Sequence, residues 1–192
     1  MPTKSLTIAL AVILAAAAGM ATTVAPMNLD ELTQRSDSIV LASVKEISYG
    51  MNEKAGYPET RTTFSVEEVL FGDALEQISV CLVGGPAGSG KVTVVPGMPR
   101  FRAKERAILF LVRDKERGVA IPTGLEQGVF RIKTDPETKK EYIVNQSVNL
   151  GITDLPSSSK ESLTKRKAET LTFSDFRGVV KEKVSKRKTE KE

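Results

Sequence analysis

The stretch Gly85-Pro86-Ala87-Gly88-Ser89-Gly90-Lys91 fills the first seven positions of a phosphate-binding loop. In such a loop backbone N–H groups and a lysine cradle the phosphates of a nucleotide. The next position must be Ser or Thr to reach magnesium, and here it is Val92. A helix must also follow, so that its N-terminal N–H groups face the phosphate. The chain instead continues through Val92-Thr93-Val94-Val95, which is β-branched throughout. The segment reads as a glycine-rich connection between strands, and no nucleotide partner is expected.

Other reactive residue types are sparse. The chain has no His, which removes Ser-His-Asp and Cys-His catalysis, His-ligated zinc and the usual general base near neutral pH. Cys81 is the one cysteine, so there is neither an intramolecular disulfide nor a set of thiolate metal ligands. It lies in the alternating run Ile78-Ser79-Val80-Cys81-Leu82-Val83, where it reads as a small packed residue on the face opposite Ile78, Val80 and Leu82. Glu67 and Glu68 are adjacent carboxylates, but neighbours on a strand point to opposite faces and cannot share a substrate unless a bulge reorients them. Asp135, Glu137 and Glu141 do not have calcium-loop spacing. Ser and Lys are abundant, but no motif pairs them for catalysis. The expectation is a protein without catalytic residues, cofactor or metal.

One segment has the composition of a contact surface. Pro96-Gly97-Met98-Pro99-Arg100-Phe101-Arg102 is a stiff connection that sets an aromatic ring between two arginines, and these types are favoured at binding hot spots. Pro99, Arg100, Phe101 and Arg102 are therefore the candidate partner contacts. The competing reading is that Phe101 plugs one end of the fold.

The elements that must hold these residues follow from pattern. Residues 1–21 have a lysine, an apolar stretch too short for a comfortable membrane span and then small residues, as in a signal peptide. This predicts an exported chain, periplasmic or secreted, with no transmembrane helix after cleavage. Residues 22–150 form the expected β-barrel domain. Asn28 caps a short helix over 28–35 whose Leu29 and Leu32 face the core. Strands are expected over 38–49, 60–71, 77–83, 92–95, 106–112, 119–121, 129–132 and 141–144, with a flexible loop over 50–59. Glu67-Glu68 shifts the phase of its strand and predicts a bulge. Arg106 to Val112 holds the most continuous apolar run after the N-terminal segment and is expected to be the central, doubly buried strand. Short strands with turns about every 10 residues and no strong amphipathic helix between them point to a mainly β fold, a small OB-like barrel of about seven or eight strands. Residues 151–170 read as a linker. Residues 171–184 read as a docking helix that Thr172 caps with Asp175, and 185–192 as a disordered basic tail.

Charge is uneven. Residues 160–192 hold 11 Lys or Arg against 6 acidic residues, whereas the whole chain is only +4. The barrel region is thus slightly acidic, and with 5% aromatic residues it is a poor match to a nucleic-acid-binding barrel.

The order of these signals is similar to that in a group of uncharacterised exported bacterial proteins. The resemblance rests on Asp37-Ser38-Ile39-Val40-Leu41-Ala42-Ser43-Val44, then Thr63 to Gly72 and the Gly84-Gly85 pair. It continues through the Pro-Gly-x-Pro-x-Phe segment (Pro96 to Phe101) into Leu109-Phe110-Leu111. It covers roughly residues 28–145 and the closing helix. The layout more distantly resembles netrin-type and tissue-metalloproteinase-inhibitor domains. That resemblance implies a five-stranded OB-type barrel and a binding role. Those inhibitors reach protease zinc through an N-terminal Cys, which is missing here. The functional expectation is an exported, non-enzymatic barrel that binds a protein or envelope component. The alternatives are a netrin-like protease inhibitor or regulator and, behind it, a Ser/Lys hydrolase.

Overall fold

In the computed structural model residues 25–73, 75–88, 90–145 and 171–189 are described. The expected signal peptide (1–21) and linker (151–170) lie outside them, as do residues 190–192 of the expected tail. The elements run α1 (Leu29–Arg35), β1 (Ser38–Asn52), β2 (Tyr57–Phe71), β3 (Gln77–Val83), β4 (Gly85–Pro86), β5 (Val92–Thr93), β6 (Arg106–Asp114) and β7 (Val119–Pro122). A 3-10 turn (Leu125–Gly128), β8 (Val129–Thr134), β9 (Glu141–Val144), β10 (Leu171–Thr172) and α2 (Phe173–Thr189) follow.

Asn28 starts α1 through a reciprocal cap. Its side chain accepts the Glu31 N–H at 2.9 Å, and Glu31 accepts the Asn28 N–H at 2.9 Å. Leu32 is thereby turned fully into the core.

Five strands then close a partial ring. β1 pairs with β2 and β2 with β3; β3 meets β7 in parallel at Val80 and Ala120; β7 pairs with β6, and β6 returns to β1. One edge of β6 is taken by β1 from Arg106 to Leu111. The other is shared, by β8 up to Leu109 and by β7 from Leu111. β9 and β10 extend the sheet beyond β8. The fold is mainly β, an OB-like barrel with a short helix before it and a longer one after it.

The two faces of β6 explain its unbroken apolar run. Ala107, Leu109 and Leu111 point into the ring, where they meet Val40, Phe64 and Val80. Ile108 and Phe110 point outward, into a second core with Leu32, Phe130, Phe176 and Val180. Ala107 to Leu111 are all at 0% exposure, as a strand buried on both faces requires.

The register of β1 against β2 skips at Leu41/Ala42, whose partners are Glu68 and Val66, so Glu67 is the extra residue of a bulge. The bulge sends its two carboxylates to different partners. Glu67 pairs with Arg106 at 2.9 Å, while Glu68 takes Arg177 at 2.6 Å and Lys181 at 2.8 Å, tying β2 to α2.

Three local expectations differ from the structure. The loop expected over 50–59 is mostly strand, because β1 and β2 pair out to Asn52 and Tyr57. Asn52 makes the tight turn possible: its side chain accepts the Ala55 N–H at 3.0 Å and its carbonyl the Gly56 N–H at 2.7 Å. The strand expected over 92–95 shortens to Val92–Thr93 and pairs only with β4. The closing helix runs on to Thr189 instead of ending at 184, since Arg187 is buried against α1 at 6% exposure. Its start is as expected, with Thr172 accepting the Asp175 N–H at 3.2 Å.

Candidate functional site

The connection from β5 to β6 crosses one end of the ring. Its four candidate contact residues are treated differently by the fold. Pro99 is buried, Phe101 is half-buried, and Arg100 and Arg102 are exposed. Phe101 packs edge-on against Phe64, with ring centroids 4.9 Å apart and planes at 90°. Beneath it lies Arg131, whose guanidinium carbon is 5.9 Å from the Phe101 centroid and whose Nη2 donates to the Arg100 carbonyl at 3.2 Å.

Arg131 is itself buried, with its side chain 6% exposed. Two carboxylates balance it. Glu105, also 6% exposed, approaches Nε at 2.7 Å, and Glu126 pairs with Nη1. The contact to Glu105 Oε1 is a charge contact outside good hydrogen-bond geometry. A buried guanidinium thus anchors the backbone on which Arg100 and Phe101 are displayed. An arginine within Val129-Phe130-Arg131-Ile132 is the sequence signal for this anchor, because a charge in an apolar strand requires paired partners.

On one side of Phe101 lies a cleft of about 220 Å³ between β1, β2, β3 and the β4–β5 ribbon. Ile47, Leu82, Met98 and Phe101 give it apolar walls. Tyr49 and Val92, which also line it, are each 59% exposed, and neighbouring Val94 is 60% exposed. None of these three was singled out from sequence. Tyr49 stood at the margin of an expected loop, and the alternation of Val92 and Val94 does not say which face meets water.

The glycines beside the cleft have a packing role. Gly85 has φ +125°, and a Cβ there would lie 2.6 Å from Thr60 Oγ1; at Gly84 it would lie 2.9 Å from the Thr93 carbonyl. Their absence of side chains lets the ribbon fold back onto β2, where Thr60 Oγ1 donates to the Gly84 carbonyl at 2.7 Å. Lys91 leads into β5, so no helix follows the glycine-rich stretch.

The remaining groups with reactive chemistry are engaged in the scaffold. Arg106 hydrogen bonds hold the Glu67 carboxyl below its ordinary range, and those of Arg177 do the same for Glu68. Cys81 is buried, and burial pushes its thiol up, further from the reactive thiolate. The Glu59–Arg117 ion pair, at 2.7 Å, lies beside its sulfur. Asp135 accepts the N–H groups of Glu137 and Thr138 in the β8–β9 turn. Among the described residues no three His, Cys, Asp or Glu side chains group as a metal site, and no helix is long and apolar enough to cross a membrane.

No known protein family, curated protein or solved structure matches this chain.

Proposed function

We propose that this chain is an exported, non-enzymatic β-barrel module that binds a protein or envelope partner through the cleft beside Phe101. The observation that carries the reading is the exposure of Tyr49 and Val92, each at 59%, at one apolar concavity, with Val94 two residues beyond Val92 exposed at 60%. Isolated exposed apolar residues are ordinary, whereas a cluster around a cleft marks a contact surface. Arg100 stands next to this cleft on an anchored backbone and adds a donor-rich rim of the type found at hot spots.

The test is a pull-down from the native exported fraction with the wild-type chain, Val92→Asp, Tyr49→Ser and Val112→Asp. Val112 is also exposed, at 37%, but lies outside the cleft. A partner held by wild type and Val112→Asp but lost by Val92→Asp and Tyr49→Ser supports the reading. Equal retention by all four, or no partner at all, overturns it. Mass spectrometry of the exported protein tests the address: an intact Met1 N-terminus overturns signal cleavage.

A further inference from the structure

Lys104 has φ 62°, a left-handed conformation that glycine adopts freely and lysine does not. It is the third residue of a tight turn in which the Glu105 N–H donates to the Arg102 carbonyl at 3.1 Å. Glu105 Oε2 closes the turn by accepting the Arg102 N–H at 3.1 Å. A turn of this shape favours Gly or Asn at that position. A lysine held there puts a cation where the backbone alone would prefer none.

The turn opens onto a second cleft, of about 290 Å³, between the start of β6 and the β8–β9 hairpin. Its lining holds four cations, Arg102, Lys104, Arg106 and Lys133, and two carboxylates, Glu105 and Glu141. The carboxylates are already matched. Glu105 meets the buried Arg131 at 2.7 Å, and Glu141 meets Arg106 at 2.5 Å. Arg106 is saturated by Glu67 and Glu141 together. Arg102, Lys104 and Lys133 are exposed and make no ion pair among the described residues. Three cations without an ion pair among the described residues therefore share one concavity, where their like charges repel.

We infer that this cleft is a binding site for a multiply charged phosphoryl group, a phosphate monoester or diphosphate, held by Lys104, Lys133 and Arg102. A ligand with two or more negative charges neutralises the three cations at once, and charged donors to phosphate oxygens make the stronger class of hydrogen bond. Concave, cation-lined surfaces also concentrate anions before contact. The site is separate from the cleft beside Phe101 and depends on neither export nor a partner there.

Lys104 supplies a clean test, because glycine at φ 62° relieves the backbone while removing the charge. Calorimetric titration of the full chain with pyrophosphate, at on the order of 50 mM salt to limit screening, should show one saturable site. Lys104→Gly should weaken it roughly tenfold, the order expected for one lost charge-assisted contact. Its melting temperature should be equal or higher. Lys133→Gln should weaken binding in the same direction. Equal binding by wild type and Lys104→Gly would place the anions on the basic C-terminal region and overturn the inference. Absence of saturable binding at millimolar pyrophosphate would overturn it as well. Phosphatidylglycerol vesicles distinguish the source. Retention that Lys104→Gly abolishes assigns a lipid headgroup; pyrophosphate binding without retention on vesicles assigns a soluble ligand.

Discussion

Phe101 meets Phe64 edge-on at 4.9 Å, and the two rings reach the same inner core from different parts of the chain. Phe64 belongs to β2 and is fully buried within the ring, whereas Phe101 arrives from the connection that crosses its end. One side chain thus both seals the inner core and forms a wall of the apolar cleft. The plug and the contact surface, opposed as readings of the sequence, are two faces of one ring.

Phe101→Ala should therefore destabilise the fold by about 2 kcal/mol. The edge-to-face pair accounts for roughly 1 kcal/mol, and lost burial of a half-exposed ring for the rest. Arg100→Ala, an exposed change, should stay within about 0.5 kcal/mol. Urea unfolding of both variants checks this. Equal midpoints would mean that Phe101 contributes nothing to the core.

Arg131→Met should be more damaging than loss of the whole charged group. The single change leaves the Glu105 carboxylate buried and the Glu126 carboxylate largely buried without their cation, at a cost of about 3–5 kcal/mol. Replacing all three, with Gln at 105 and 126 and Met at 131, leaves no buried charge and should recover part of that loss. Denaturant midpoints of the single and triple variants decide it. A triple variant less stable than the single one contradicts the account.

Acid should loosen two ties of β2, one to Arg106 at the start of β6 and one to Arg177 on α2. Hydrogen bonds from Arg106 to Glu67 and from Arg177 to Glu68 hold both carboxyls below their ordinary range in the folded state. A depressed folded value means that the unfolded chain binds the proton more readily. The stabilisation is complete above the unfolded value of about 4.3 and is lost as pH falls through the folded ones. The urea midpoint should hold from pH 7 to about pH 5 and drop below that. Both pairs are partly exposed, so the drop should shrink in high salt. Glu68→Gln should flatten the profile; an unchanged slope would show that the Arg177 and Lys181 contacts contribute nothing.

Much of the scaffold was legible because single residues dictated it. Asn28 marked the first cap, the run Ala107 to Leu111 read as a strand buried on both faces, and Glu67-Glu68 betrayed its bulge by breaking alternation. The hairpin tip was misread because Gly50, Asn52 and Gly56 look like a loop when pairing across the hairpin is invisible. The candidate site was legible only in part. Proline and arginine marked the Pro99–Arg102 segment, but the exposure of Tyr49 and Val92 depends on how far the ribbon stands off the barrel. The clustering of Lys104 with Lys133, 29 residues apart in the chain, depends on β6 lying beside β8.

The end of α2 shows why that boundary also escaped a reading by pattern. Past Val184 the helix carries Lys186, Arg187 and Lys188, which look like a solvated tail. Yet Arg187 Nη1 donates to the Thr33 and Ser36 carbonyls at 2.5 and 2.8 Å, at the C-terminal end of α1, where a cation suits the helix dipole. Its guanidinium carbon lies 4.0 Å from the Phe71 centroid, so the flat face of the group is used as well as its edge. Burial pushes the guanidinium below its ordinary value, and Nε has no hydrogen-bond partner among the described residues. Arg187→Met keeps the apolar stem but leaves two carbonyls unsatisfied, and should cost about 2–3 kcal/mol. Arg187→Ala should cost more, because the stem is lost too. Hydrogen exchange should rise in α1 and α2 together and leave β6 unchanged unless the whole protein opens. Wild-type stability in Arg187→Met would reduce the contact to stem packing, and exchange rising in α2 alone would show that Arg187 does not hold the two helices as one unit.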